Sequence, residues 1–123
     1  MASELRVDTL KDASGNNSVA TSTVAQGSAK AWAHILSDAS LSSGSLNGST
    51  VTDNSAGDHT LNYTNNMSTL NYSATATPRV NSGSGRTIQV AVIAQASVRV
   101  QTKESPDDEE DRDFSVTVHG ALA

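Results

Sequence analysis

The sequence predicts an all-β chain, in which an extended N-terminal hairpin arm precedes a small antiparallel β-sandwich. Short runs alternate apolar and polar residues, clusters of turn-forming residues separate these runs, and no long amphipathic helix pattern occurs. We divide the chain into an anchoring and oligomerisation arm at 1–35, a Ser/Gly-rich connector at 36–49 and a β-sandwich domain at 50–123.

The arm is predicted to contain a hairpin followed by a further strand. Residues 5–10 alternate with the period of a strand, and residues 11–17 form a turn cluster around Gly15, which can adopt positive φ. The Thr-rich run 19–24 is predicted to be the returning strand. Residues 29–35 fit a strand or a helical turn, and their alternation favours the strand.

A second hairpin is predicted at the start of the sandwich domain. Residues 50–52 begin it, residues 53–58 form its turn, and residues 60–64 are the returning strand. The alternation continues through residues 72–76. It ends at Pro78, because the proline nitrogen cannot donate a hydrogen bond to a strand ladder.

The C-terminal part carries the strongest alternation in the chain. After a flexible loop at 81–85, residues 86–103 alternate along their whole length, which predicts one long strand with a bulge or bend near 94–95. An acidic loop at 104–113 leads to a last strand at 114–118. We expect these two strands to pair antiparallel across the loop, because their alternation matches.

The composition indicates a thin core that needs support from other chains. Leu, Ile, Val and Phe supply only 23 of the 123 residues, whereas Ser, Thr, Asn and Gly supply 49. Small scaffolds of this kind are stabilised by disulfides, metals or partner subunits. The sequence contains no cysteine, so oligomerisation is the support we expect.

Charge and hydropathy argue against several classes of protein. The net charge of −5 argues against coating DNA or RNA, which requires Lys and Arg to neutralise phosphates. No run approaches the roughly 18 apolar residues of a membrane helix. The N-terminus also lacks the apolar segment of a signal peptide, so we expect synthesis in a cytoplasm without a cleaved signal.

Three features of the sequence could form metal sites, and each also has a simpler structural interpretation. The acidic run could offer oxygen ligands to Ca²⁺ or Mg²⁺, but consecutive acids on a strand point in alternate directions and a solvated loop explains it. Residues 53–58 faintly resemble a calcium loop, but a turn with Gly57 at positive φ accounts for them. One histidine could meet its copies on a trimer axis, although a lone surface or interface histidine is more common. The acids are Asp107, Asp108, Glu109, Glu110, Asp111 and Asp113, and the histidines are His34, His59 and His119.

The sequence gives little support to catalysis. It contains no G-x-S-x-G motif, no phosphate-binding motif and no cysteine nucleophile, so we predict no enzyme activity, cofactor or metal requirement. Sugar binding has more support from the sequence. Trp32, Tyr63 and Tyr72 each combine an aromatic ring with a hydrogen-bonding group, and such side chains often lie at binding surfaces. The two tyrosines fall on predicted inward faces, which favours a core role for them.

Three segments resemble virion proteins of tailed bacteriophages, especially marine ones. The segment Leu5–Trp32, LRVDTLKDASGNNSVATSTVAQGSAKAW, is similar to one that precedes or connects small β-domains in their fibres and surface appendages. The segment Val51–Ser73 resembles a hairpin of the same proteins, and ASVRVQT with the closing FSVTVHG resembles their C-terminal strands.

The resemblance implies a structural protein of the virion, made in the host cytoplasm. We expect a homotrimeric capsid decoration protein, either a cement or a head-fibre protein, bound to the major capsid protein or another virion protein. A receptor-binding tail-fibre module that contacts a host surface glycan is the alternative. A fibre-borne polysaccharide depolymerase is a third hypothesis. No contact with nucleic acid and no membrane insertion are expected.

The arm is the predicted assembly element. It is strand-like and poor in large side chains, so it cannot bury enough surface within its own subunit to offset the entropy lost on ordering. We therefore expect its apolar residues to face neighbouring subunits or the capsid. These residues are Leu5, Val7, Val19, Val24 and Trp32.

Overall fold

A computed structural model describes residues 2–79, 87–105 and 108–123 and confirms the all-β class. These residues include one short helix among their strands, and the predicted loop at 81–85 lies outside the described residues. In chain order the elements are β1 (Thr9–Leu10), β2 (Val19–Ala20), α1 (Thr21–Gly27), β3 (Ala29–Ile35), β4 (Gly48–Ser55), β5 (Asp58–Tyr63), β6 (Ser73–Pro78), β7 (Thr87–Ala94), β8 (Ser97–Ser105), β9 (Asp108–Glu109) and β10 (Phe114–His119).

Two antiparallel sheets pack around one core. The smaller sheet has the strand order β3-β10-β6, and the larger has the order β4-β5-β8-β7, with β9 paired to β8. Both sheets contribute buried side chains to a single hydrophobic cluster. Because β3 supplies part of this cluster, the packed sheets begin at Ala29, inside the segment assigned to the arm by sequence.

Strict alternation on β10 organises the smaller sheet. Phe114, Val116 and Val118 are buried. Ser115 and His119, which point to the opposite face, are exposed. The central position of β10 gives each buried residue an inward neighbour on both sides. On β3 these neighbours are Ile35, Ala33 and Ala31, and on β6 they are Pro78, Ala76 and Ala74. The large side chains therefore lie at the centre, and small ones lie at the β6 edge.

The N-terminal hairpin is present, but it is much shorter than predicted. Only Thr9 and Leu10 pair with Val19 and Ala20, so the predicted strand over 5–8 is wrong. The predicted strand over 21–24 is also wrong, because those residues belong to α1. Period-two alternation produces a strand only where a partner strand is present. No described strand pairs with residues 2–8.

The alternating run at 86–103 forms a hairpin rather than one long strand. The bend predicted near 94–95 is a full reversal, after which β8 returns along β7 with Ala94 opposite Ser97. The predicted pairing of this run with the last strand is also wrong, because β10 lies in the other sheet. Matching alternation shows that two strands each have one buried face. It does not show that they share a sheet.

A bulge in β7 changes which side chains face the core. The register shifts between Val90 and Val92, so that Val92 pairs with outward-facing Arg99 and Ile93 pairs with buried Val98. Uninterrupted alternation over this run would place Val92 on the same face as Val90, but Val92 is 48% exposed. A single extra residue in a strand reverses the facing of every residue beyond it.

The turn between β4 and β5 forms within the predicted range 53–58 but is shorter, because only residues 56–57 lie outside the two strands. Gly57 has φ of +67°, a conformation that costs a residue with a side chain free energy. Space is restricted there too, because a Cβ on Gly57 would lie 2.5 Å from the Glu110 amide nitrogen and the Thr102 carbonyl oxygen. The acidic segment packs against this turn and contains β9, so part of the predicted loop is paired to β8.

Candidate functional site

The arm that precedes β3 is ordered without burying any of its side chains. Residues 2–18 are all exposed, and α1 contains no buried residue. Four of the five predicted contact residues are large exposed apolar groups, and the fifth, Val19, is half-buried. The exposed fractions are 79% for Leu5, 39% for Val7, 45% for Val24 and 42% for Trp32.

Local hydrogen bonds hold the arm in shape. Both carboxylate oxygens of Asp12 accept hydrogen bonds within the turn, Oδ1 from the Asn16 amide at 2.8 Å and Oδ2 from the Asn17 side chain at 2.9 Å. The Thr21 amide donates to the Asp8 carbonyl at 2.9 Å and so joins α1 to the start of the hairpin. Ordering a backbone costs about 1–2 kcal/mol per residue, which apolar burial must offset. An arm with no buried side chain lacks that offset within its own chain.

Trp32 belongs to the sandwich and lies apart from the arm hairpin in the chain. It sits on β3 next to Thr117 of β10, and it exchanges two backbone hydrogen bonds with Leu46. The connector thereby covers the free edge of β3. Trp32 and Leu46 are 42% and 43% exposed, so together they form an apolar pair on the rim of the smaller sheet.

Hydroxyl and imidazole groups share the outer face of the smaller sheet with this apolar pair. Thr117 lies between Trp32 and Thr75 in the register, and Ser115 lies next to His34. The Ser115 hydroxyl and His34 Nδ1 are 3.2 Å apart. An exposed indole beside hydrogen-bonding groups suits contact with a surface that is partly polar and partly apolar, such as a protein or a sugar.

A network of charged and amide groups covers the outer face of the larger sheet. The Asp58 side chain is 2% exposed and lies against the Arg99 guanidinium, which donates from Nε at 2.7 Å. Gln101 and Asn54 donate to the same carboxylate, each at 3.0 Å. The Arg99 hydrogen bond is the main reason that the pKa of Asp58 falls to about 2, against the opposing effect of burial. Every polar partner here is satisfied, so the network is structural.

A second buried polar group lies where the acidic segment meets the β4–β5 turn. His59 is 1% exposed, and its Nε2 lies 3.7 Å from Asp111 Oδ1. Neither ring nitrogen has a hydrogen-bond partner. Asp111 Oδ1 instead accepts the Gly57 amide at 2.6 Å. Sequence reasoning missed this arrangement, since nothing in the local pattern distinguishes a buried His59 from an exposed one.

The two tyrosines have core positions, as predicted. Tyr63 is 6% exposed and its hydroxyl donates to that of Tyr72 at 3.3 Å. Tyr72 then donates to the Ala94 and Ser97 carbonyls at 2.8 and 3.0 Å, which ties the start of β6 to the β7–β8 turn. Burial raises the pKa of both phenols. Of the three aromatic residues considered for sugar binding, Trp32 is therefore the one whose side chain is exposed to a partner.

A cleft of about 480 Å³ lies between Gln26 of α1 and the C-terminal residues 119–121. Its lining combines amide and hydroxyl groups with apolar atoms. The residues are Gln26, Ser68, Thr69, Asn71, Tyr72, Ser73, His119, Gly120 and Ala121. The cleft thus has lining residues both from the arm and from the C-terminal part of the sandwich.

Within the described part of the chain, no group of three or more His, Asp or Glu side chains is placed to hold a metal ion. No described helix is long and apolar enough to cross a membrane. Comparison with family models, with curated proteins and with solved structures found no match to the chain.

Proposed function

We propose that this chain is a structural component of a tailed-bacteriophage virion, a trimeric decoration protein on the exterior of the capsid. The observation that carries the proposal is the arm at 2–28, none of whose side chains is buried. Such an arm suits attachment to neighbouring subunits or to a shell. The resemblance of Leu5–Trp32 to segments of phage appendages supports the same conclusion.

In this proposal the two parts of the chain have different roles. The arm anchors the protein to its neighbours or to the major capsid protein. The sandwich projects outward, where its polar outer faces suit contact with water. The network around Asp58 and Arg99 stiffens one of these faces without offering an open site.

A receptor-binding tail-fibre module is the second candidate, and one observation favours it. Trp32 is 42% exposed beside the hydroxyl and imidazole groups of the smaller sheet. An aromatic ring with hydrogen-bonding neighbours suits a host surface glycan. On a decoration protein the same pair of Trp32 and Leu46 would contact the shell or another subunit.

A reconstruction of the virion that carries this protein tests the proposal. Density for the sandwich at three-fold or quasi-three-fold axes of the capsid is the expected result. Density at the tail tip would favour the tail-fibre module, and absence from the virion would overturn both.

Deletion of residues 1–33 tests the role of the arm. The full-length protein is expected to occupy virions that lack it, and the truncated protein is expected not to. Because this deletion also removes most of β3, a shorter deletion of residues 2–20 serves as the variant that leaves all strands of the sandwich intact. Occupancy by both truncated proteins at the wild-type level would contradict the anchoring role.

A further inference from the structure

On one side of the sandwich, no described strand pairs with the outer edge of β6 or of β7. These strands follow one another in the chain, lie side by side, and form the outermost strands of their two sheets. Three strands of the smaller sheet face a four-strand path in the larger. The edge of β6 and the edge of β7 thus border a seam that no described strand fills.

Apolar side chains along this seam are incompletely covered. Ile88 and Val90 point toward the core but are only half-buried, whereas Val98 and Val100 on the next strand are fully buried. The residues that face the core from β6 are small, with Ala74 and Ala76 at the positions next to Val118 and Val116. Additional apolar side chains along β6 would complete the cover of Ile88 and Val90.

The other free edges are protected. Leu41 and Leu46 form backbone bridges to β3 and cover its edge. β4 carries two register irregularities and the charged, exposed Asp53, and both features disfavour the addition of a strand. The seam between β6 and β7 is therefore the edge best suited to receive a strand.

The start of the arm has the pattern of the missing strand. Leu5 and Val7 lie on one side of an alternating segment, and Glu4, Arg6 and Asp8 lie on the other. No backbone hydrogen bond joins residues 2–7 to another described residue. Leu5 and Val7 are 79% and 39% exposed, so their apolar surface is uncovered in the single chain.

We propose that residues 2–8 of one copy add as a strand to the β6 edge of a second copy. Leu5 and Val7 then cover Ile88 and Val90, and the charged residues of the added strand join Thr75 and Thr77 on the wet outer face. The backbone groups of the arm and of β6 satisfy one another. Exchange from each copy to the next is head-to-tail and closes into a ring, which gives the trimer of the proposed function its contact.

Disulfide trapping tests this contact, because the natural sequence contains no cysteine. Two single variants, Val7→Cys and Ala76→Cys, are made with tags of different size, mixed, refolded together and oxidised. A cross-linked heterodimer can arise only between copies. The matched control pairs Val7→Cys with Thr52→Cys, which lies on the exposed β4 edge. We expect a strong heterodimer band for the first mixture and background for the second.

Other cross-linking results would contradict the proposed contact. Equal cross-linking in both mixtures would overturn the proposed contact. So would the absence of any cross-link from Leu5→Cys or Val7→Cys to Ala74→Cys or Ala76→Cys. Cross-linking confined to monomers of the double variant Val7→Cys/Ala76→Cys would show that the arm covers its own seam, and would also overturn it. Deletion of residues 2–8 is expected to shift the sedimenting species from oligomer to monomer.

This inference rests on the assembly role of the arm in the proposed function, but the two can fail separately. If the protein occupies virions but shows no cross-link at the seam, the decoration role is supported and the strand exchange is contradicted. A trapped, exchanged oligomer that is absent from virions would do the reverse.

Discussion

Asp58 and Arg99 face each other across β5 and β8, and the guanidinium donates to both oxygens of the buried carboxylate. In the register Asp58 lies opposite Gln101, and Arg99 lies opposite Thr60, two residues further along β5. The pair therefore joins two central strands diagonally on the outer face of the larger sheet. Removing one partner leaves a charged carboxylate that is 2% exposed without its main donor.

Replacement of Arg99 by Met is expected to lower the free energy of unfolding, because the buried Asp58 carboxylate loses its charged partner. Urea unfolding at pH 7 measures this change. The matched control is Arg6→Met, which removes the ion pair of Arg6 with Glu4 on the exposed arm. Exposed pairs contribute roughly 0–1 kcal/mol, so the control should unfold almost as the wild type does. Equal effects of the two substitutions would contradict the structural role of Arg99.

The same carboxylate predicts a pH dependence of stability. The pKa of Asp58 is lowered in the folded protein to about 2, from an ordinary value of 3.8. A group with a lowered folded pKa stabilises the fold above its unfolded pKa, and this contribution is lost as pH falls through the folded value. Wild-type stability should therefore decline between about pH 4 and pH 2. Asp58→Asn should show a smaller decline over that window. A variant with the same acid slope as the wild type would show that other carboxylates dominate.

Gly57→Ala is expected to be far more destabilising than Gly15→Ala. Both glycines have positive φ, so each substitution carries the backbone cost of about 1 kcal/mol. At Gly57 the new Cβ also meets backbone atoms at 2.5 Å, whereas nothing lies within 4 Å of the position at Gly15. Overpacking adds about 1–3 kcal/mol at Gly57 alone. Thermal unfolding of the two variants measures the difference, and similar melting temperatures would contradict the close approach of the acidic segment to the turn.

The sequence was sufficient to predict features that depend on local chemistry. The turn at Gly57, the strand at 29–35 and the inward tyrosines follow from residue type and from alternation. Sheet membership was not predictable in this way, because β8 and β10 show the same alternation and yet lie in different sheets. Alternation reports one buried face and carries no information about which strand is the neighbour.

The candidate surfaces were predictable only in part. Exposure of Leu5, Val7 and Val24 agrees with an arm that has no core of its own, and their contact with other chains stays a prediction. Burial of His59 beside Asp111 depends on contact between segments more than 50 residues apart, which no local pattern reveals. The outward position of Val92 depends on a bulge, which alternation alone cannot locate.

The two valines Val98 and Val92 provide a direct test of the strand register, because they lie on opposite faces of the same hairpin. Val98 is 0% exposed and Val92 is 48% exposed. Val98→Asp places an unpaired carboxylate in the apolar core, and we expect a loss of more than about 4 kcal/mol and an unfolded protein. Val92→Asp places the same group in water beside outward-facing Arg99, and we expect a change within about 0.5 kcal/mol.

Circular dichroism and thermal unfolding distinguish these outcomes. A folded Val98→Asp protein would contradict the inward position of Val98 on β8. An unfolded Val92→Asp protein would show that the bulge between Val90 and Val92 is misplaced and that β7 meets β8 in the other phase. In that phase Val92 would face the core and Ile93 would face water. The seam beside β7 would then present different side chains to an added strand, so this pair of substitutions also tests the surface on which the proposed strand exchange depends.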